Sequence, residues 1–426
     1  MVLAVDHLGG WRKPTDRNRD FGGRSPKVSV PERALSDTRR IFKMIIHGRN
    51  MMIKKLLSAT AMVLALGAMP ALAELKVGSI VELSGPGAAA GTNFRDGVNM
   101  GFEEINAQGG ILKEPVKILE YDSQTDPQVS RAMVQKAIDE DIYAIMGTVF
   151  SSSTVVNMLV AKQYGIPQFT GSEAPSITAK GNPYIFRTAF GSQKGVPKLI
   201  KYMVEKMGVK KVGVAWANTE FGKGGHQAFI DEAKKAGLEI VVDVPSEQAQ
   251  ADFSADVLKL KNSSAEAFFV YYTEEESARF LREARKQGIT KPLLGETTLI
   301  GHKVIELAGE AANGAMGHVG LTPDADVPAL KDMVERFKTK FKYTPDHNAI
   351  KGYTAAWTLK YVTEMVGKPD SKAIAEKLHG LTLKASEYPG VLMDVSWDDT
   401  GEMSRESFFV KVENGKQVVE AILPPN

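Results

Sequence analysis

The sequence predicts an α/β protein built from two parallel-sheet units. Three observations carry that expectation. Strand-like and helix-like segments alternate from residue 75 onward. The alternation restarts after PYIFRTAFGSQKG (183–195). The chain then ends in strands and tight turns instead of another helix. Such alternation is how a parallel sheet with helices on both faces reads in sequence.

The elements follow in order. LKVGSIVEL (75–83) is apolar and β-branched, a strand. Val98, Met100, Phe102 and Ile105 fall at helical spacing, giving a helix over 93–107 that Gly109-Gly110 stop. VKILEYD (116–122) is a strand, 127–139 a helix, YAIMG (143–147) a buried strand, 152–164 a helix and IPQFTG (166–171) a strand. The second unit runs through helix 196–207, VGVAW (212–216), helix 222–236, LEIVVDV (238–244), helix 253–261, AFFVYY (267–272), helix 274–287 and PLLGET (292–297). GAMGHVGLTPDAD (314–326) is a long crossing. Two amphipathic helices follow near 327–342 and 346–366, and a third near 371–380, with Asp346-His347 capping and opening the second. Asn414-Gly415 marks a hairpin between the last strands.

Residues 51–74, MMIKKLLSATAMVLALGAMPALAE, have the three parts of a secretory signal: Lys54-Lys55, an apolar run and Ala71-Leu72-Ala73 before Glu74. The apolar run is short of the roughly 20 residues that span a bilayer. Residues 1–50 are polar, arginine-rich and aperiodic, and read as a disordered, non-native extension, with the true start of the protein expected at Met51 or Met52. The chain has no cysteine and a formal charge of +2, with lysine and glutamate interleaved. That excludes disulfides, thiolate metal sites and a cysteine nucleophile, and offers no nucleic-acid surface.

SIVELSGPGAAAG (79–91) places Gly85, Gly87 and Gly91 between a strand and a helix, as a dinucleotide-binding turn would. Pro86 removes an amide from that loop. The acidic residue expected about 20 positions on comes late, at Glu120 or Asp122. No P-loop, HExxH or GxSxG motif is present, and the histidines after the leader are scattered. The expectation is no enzyme, no cofactor and no metal.

AIMGTVFSSSTVVNMLVAKQYG (144–165) is more informative. A buried strand ends at Gly147, and Ser151-Ser152-Ser153-Thr154 open a helix. Several hydroxyls in a row exceed what a cap needs. A helix N-terminus with free amides suits a carboxylate. The turns SGPGAAAG, FSSST and GSEAP (171–175) should converge on one crevice at the carboxyl ends of their strands.

Together, KVGSIVELSGPGAAAG, DGVNMGFEEINAQGGI, YDSQTDP, GTVFSSST, SEAPSIT, YIFRTAF, AFFVYY and LREARKQG resemble a periplasmic substrate-binding protein of the leucine/isoleucine/valine-binding family. The resemblance covers about 75–422. It implies the type I periplasmic-binding fold: two lobes, 75–189 with 322–392 and 190–321 with 393–426, joined by three crossover strands near FRTAFG, GHVGLTP and LMDVSW. It implies a monomer that closes on a small-molecule ligand and delivers it to an inner-membrane ABC permease. Ser151 matches the serine that binds the ligand's carboxylate, with Ser152 beside it. The Ser172 carbonyl matches the acceptor of the ammonium, Phe221 an aromatic that closes over the ligand, and Glu296 the acid that neutralises the ammonium.

Some positions depart from the family pattern. Ala90 stands for a side-chain-binding aromatic and should enlarge the pocket. Ala174 stands for a threonine, with Glu173 beside it and one residue deleted. Glu274, Glu275 and Glu276 stand where family members often carry an aromatic; the three read as a capped, solvated helix start, and Glu274 is the one of them that is a candidate for the ligand site. The ligand expected is a branched-chain amino acid or a related small amino acid or amide, with an aromatic or short-chain carboxylate as the alternative. An exported α/β enzyme and a sensory ligand-binding domain are the rival classes.

Overall fold

The computed structural model describes residues 74–425 and, ahead of them, Arg24, Pro26, Lys27 and Lys43. The leader at 51–73 and the extension at 1–50 lie outside the described residues. The described residues 74–425 belong to one compact unit.

The first sheet holds β1 (Leu75–Val81), β2 (Val116–Asp122), β3 (Ala144–Met146), β4 (Gln168–Thr170) and β5 (Ile185–Arg187), in the order β2-β1-β3-β4-β5. All its pairs are parallel. β3 and β4 are buried at every residue, as strands covered on both faces must be, and β2, at the edge, exposes Lys117 and Glu120. The helices between them are α1 (Ala88–Ala107), α2 (Pro127–Asp139), α3 (Ser151–Tyr164) and the single turn α4 (Ser176–Ala179). α1 starts five residues before the expected Asn93. Ala88, Ala89 and Ala90 are the strongest helix formers, and they carry the helix through Gly91. Asp126 caps α2 by accepting from the amides of Gln128 and Val129, and Pro127 follows where its missing N–H is harmless.

The second unit repeats the plan. Its elements are α5 (Ser192–Glu205), β6 (Lys211–Ala217), α6 (Glu220–Ala236), β7 (Glu239–Ser246), α7 (Ser254–Lys261), β8 (Ala267–Tyr271), α8 (Glu274–Lys286), β9 (Leu293–Gly295), α9 (Thr297–Ile300), α10 (His302–Ala308) and β10 (Met316–Val319). The parallel order β7-β6-β8-β9-β10 matches that of the first sheet. The C-terminal hairpin, β14 (Ser407–Glu413) and β15 (Lys416–Leu423), extends this sheet antiparallel beside β10. Its two-residue turn is Asn414-Gly415, both at positive φ. α11 (Pro328–Phe341), α12 (His347–Val366) and α13 (Ser371–Leu378) precede a small antiparallel sheet of β11 (Thr382–Leu383), β12 (Val395–Trp397) and β13 (Met403–Ser404).

α12 packs on α1 at backbone distance. A Cβ on Gly97 would stand 1.9 Å from the Ala349 carbonyl oxygen, and one on Gly352 would stand 2.1 Å from that of Phe94. Both glycines are there because nothing larger fits.

A buried ion pair ties the end of β5 to the turn before β13. Arg187 Nε meets Glu402 Oε2 at 2.7 Å, both side chains buried. Glu402 also accepts from Thr178 Oγ1 (2.8 Å), Gln193 Nε2 (2.7 Å) and the Gly191 amide (2.9 Å). Arg187 spends its other nitrogens on the Ser172 carbonyl and, at 2.5 Å, the Ala174 carbonyl. A buried guanidinium needs that full set of acceptors.

Candidate functional site

In both sheets the strand order reverses beside the first strand, between β1 and β3 and between β6 and β8. Such reversals open a crevice beyond the carboxyl ends of the strands. The turns after these strands line one cavity. Val149, Phe150 and Ser151 follow β3; Gly171 and Glu173 follow β4. Phe221 follows β6, Thr273 and Glu274 follow β8, and Thr298 follows β9. His347, Asn348 and Lys351, from the first turns of α12, complete the lining. The space among them is about 340 Å³, part of it continuous with solvent.

Ser151 begins α3, and its side chain is buried in this wall. Its Oγ accepts the Ala174 N–H at 3.2 Å. The amides of Ser153 and Thr154 turn back to the Phe150 carbonyl, while those of Ser151 and Ser152 donate to no described protein acceptor. The helix therefore presents two free N–H groups and a hydroxyl at its positive end, a seat for an anion. Behind it the Glu82 carboxylate accepts from the Val149 and Phe150 amides at 3.2 and 3.1 Å. Burial pushes Glu82 up to about 7, against those hydrogen bonds.

The next turn differs from expectation. The Ser172 carbonyl does not face the cavity; it accepts from Arg187. Its hydroxyl joins Thr154 Oγ1 (2.6 Å) and the Val149 carbonyl (2.7 Å), fastening the two turns together. Ala174 is likewise held by Arg187 and Ser151. The residues this turn presents to the cavity are Gly171 and Glu173. Lys351 Nζ donates to Glu173 Oε1 at 2.8 Å, to the Gly171 carbonyl at 3.3 Å and to Asn348 Oδ1 at 3.4 Å.

Phe221 stacks on Tyr271 with ring centroids 4.2 Å apart, which fixes its face toward the cavity. Glu274 is not solvated as its place at a helix start suggested. Glu276 makes the capping box with Thr273, and Glu274 turns inward, fully buried. Burial, and then the charges of Glu275 and Asp346, push Glu274 up to about 8. It accepts from Asn348 Nδ2 at 3.1 Å and lies 3.5 Å from His347 Nε2. Burial drives the His347 ring well below its ordinary range, so it is neutral; neither ring nitrogen has a hydrogen-bond partner.

Glu296 lines an adjoining cavity with Thr188, Phe190, Gly320 and Arg405, divided from the first by Glu173, His347 and Lys351. Its Oε2 meets His318 Nδ1 at 2.7 Å, and its other oxygen is unpartnered. Burial raises its carboxyl despite the nearby His318.

Two further predicted residues lie off the cavities. Ser152 is half-buried and does not line the cavity. Ala90 is buried within α1 and lines neither cavity; ahead of it the Phe150 ring comes so close to Gly87 that a Cβ there would lie 2.6 Å from it. Asp122 also proves structural. Its carboxylate accepts from the Leu83 and Ser84 amides and the Ser84 hydroxyl, and so shapes the glycine turn. Lys351 and Asn348 were missed in the sequence; His347 was read only as opening a helix, and Gly171 belongs to a turn expected at the crevice. Asp346 does cap α12, accepting from the Asn348 and Ala349 amides at 2.7 and 3.2 Å, and so aims that first turn into the cleft.

A family model described as periplasmic binding protein matches residues 74–417. The Leu/Ile/Val-binding protein of Citrobacter freundii is 29% identical over 359 residues, 84% of this chain and 95% of the relative. Among solved structures, a leucine-binding protein from Thermotoga maritima superposes with a TM-score of 0.75 at 24% identity, covering 82% of this chain and 99% of that one. A solute-binding protein of an ABC transporter from R. palustris, in complex with benzoate, gives 0.76 at 20% identity over 83% and 97% of the two chains. These two likenesses bear on the fold.

Proposed function

The chain belongs to the periplasmic binding protein family, and from that premise we propose that it is the ligand-binding component of an ABC importer. Its ligand is a branched-chain amino acid or a related small molecule that carries a carboxylate. The observation that carries this reading is the start of α3: Ser151, with its free amide and its hydroxyl, lines a cavity whose opposite wall includes Phe221 and Glu274. The names of relatives such as the Leu/Ile/Val-binding protein support the ligand class.

In this reading the two sheets are the cores of two lobes, 75–189 with 322–392 and 190–321 with 393–426. They rotate about the crossing segments to close on the ligand. Contacts such as Ser176 Oγ to Glu220 Oε1 (2.6 Å) and Asn348 Nδ2 to Glu274 Oε1 (3.1 Å) join the two sides of the cleft and support a closed form. Closure buries the ligand's charge, which the helix N-terminus compensates. The permease reads the closed form, and no covalent chemistry occurs. The leader at 51–73 directs the monomer to the periplasm.

The test is a thermal-shift screen of the purified protein against amino acids, amides and small carboxylates. A ligand at about 100 times its Kd adds about 2.7 kcal/mol to the folded state and raises the midpoint by several degrees. The shift should weaken in Ser151→Ala. Catalytic turnover of a ligand that shifts the midpoint would overturn the importer reading.

A further inference from the structure

The Glu173–Lys351 pair stands where an amino acid's ammonium would go. An α-amino acid carries carboxylate and ammonium on one carbon. With the carboxylate at the start of α3, the ammonium must land on the neighbouring turn, because Ala174 N–H already touches Ser151 Oγ. The acceptors that turn offers are the Gly171 carbonyl and the Glu173 carboxylate. Lys351 Nζ holds both and uses its third proton on Asn348. Its side chain is only 8% exposed, so it has no solvent to retreat to. A second ammonium there would meet a like charge and displaced acceptors. Glu296, whose Oε1 is unpartnered, does not relieve this, because it lies in the adjoining cavity beyond the pair.

We infer that the Lys351 ammonium stands in for the α-ammonium of an amino acid, so that the cleft takes carboxylic acids that lack one. This rests on the importer reading and narrows its ligand. The rest of the cavity suits a hydroxy or oxo acid over a plain alkyl acid. Both ring nitrogens of His347 and the Thr298 hydroxyl are buried without partners in its wall. A 2-hydroxy or 2-oxo group would give them one, and unpaired buried groups otherwise cost binding.

The experiment is calorimetric titration with matched pairs that differ at the α-carbon: L-leucine against 4-methyl-2-oxopentanoate and 2-hydroxy-4-methylpentanoate, and L-phenylalanine against phenylpyruvate and phenyllactate. The expected result is that the wild-type protein binds the oxo or hydroxy acid of at least one pair about tenfold or more tighter than the amino acid. Lys351→Met frees Gly171 and Glu173 and should move that ratio about tenfold toward the amino acid. Lys351→Gln serves if the methionine variant does not fold, and the wild-type comparison stands without either. An amino-acid preference in every pair, or a ratio that neither variant moves, overturns the inference and leaves the importer reading intact. A folded wild-type protein that binds no carboxylate of either kind overturns the importer reading, and this inference falls with it.

Discussion

Removing the Glu402 carboxylate should destabilise the whole protein and loosen the ligand turn together. Glu402 is buried and receives four hydrogen bonds, from Arg187, Thr178, Gln193 and the Gly191 amide. Glu402→Ala leaves the Arg187 guanidinium buried with its Nε facing a void. Breaking a buried pair from one side costs about 3–5 kcal/mol, mostly the uncompensated charge. Unfolding entropy near the midpoint is about 2.1 cal/mol/K per residue. Over roughly 350 ordered residues that comes to about 0.7 kcal/mol/K, so the melting temperature should fall by about 4–7 °C. Circular dichroism melts of the ligand-free protein measure it. Arg187→Met with Glu402→Leu should recover much of the loss, because an apolar replacement of a buried pair is often neutral. Arg187 also holds the Ser172 and Ala174 carbonyls, so each single variant should weaken ligand binding as well. A melting temperature within a degree of wild type for Glu402→Ala, with unchanged affinity, would refute the claim that this pair anchors the turn.

Ser151→Ala should lower the affinity for a carboxylate ligand about tenfold or more, the loss of one hydrogen bond to a charged group, and should also lower the ligand-free melt, because the buried Ala174 N–H loses its acceptor at a cost of about 1–3 kcal/mol; titration calorimetry and circular dichroism read the two effects. Gly97→Ala should cost about 1–3 kcal/mol by forcing α1 from the Ala349 carbonyl, and should shift the first turn of α12, lowering both melting temperature and affinity. Raising pH should destabilise the ligand-free protein across pH 5 to 8. Glu274 is raised to about 8 and Glu82 to about 7, so the native state keeps protons that the unfolded chain has released, and their stabilisation fades as pH climbs from the ordinary 4.5 to those values. Glu274→Gln should flatten this slope in melts recorded at pH 5, 6, 7 and 8.

The helices and strands were legible because each is specified by its own residues. Asp126-Pro127 starts a helix wherever it occurs, and Asn414-Gly415 can hardly be anything but a tight turn. Ser151 was legible for the same reason: a buried strand, a glycine and a run of hydroxyls lie together in the chain. The rest of the cleft is written in contacts between distant residues. The Ser172 carbonyl was assigned to the ligand because nothing near it in sequence shows that Arg187 needs it. Glu274 was read as solvated because the acids of a helix's first turn usually are, and only the approach of Asn348 reveals that it is enclosed. Lys351 is the instructive omission. A lysine on an amphipathic helix reads as a surface residue. HNAIKGYTAAWTLKYV, however, is not amphipathic: it is small or apolar nearly all round, and its first thirteen residues are buried. A helix of that composition is enclosed by its neighbours, and a lysine on it must find a carboxylate instead of water. The sequence therefore held a signal for a buried cation near the start of α12. What it could not supply was the partner, because Glu173 lies 178 residues away and only the fold brings the two within 2.8 Å.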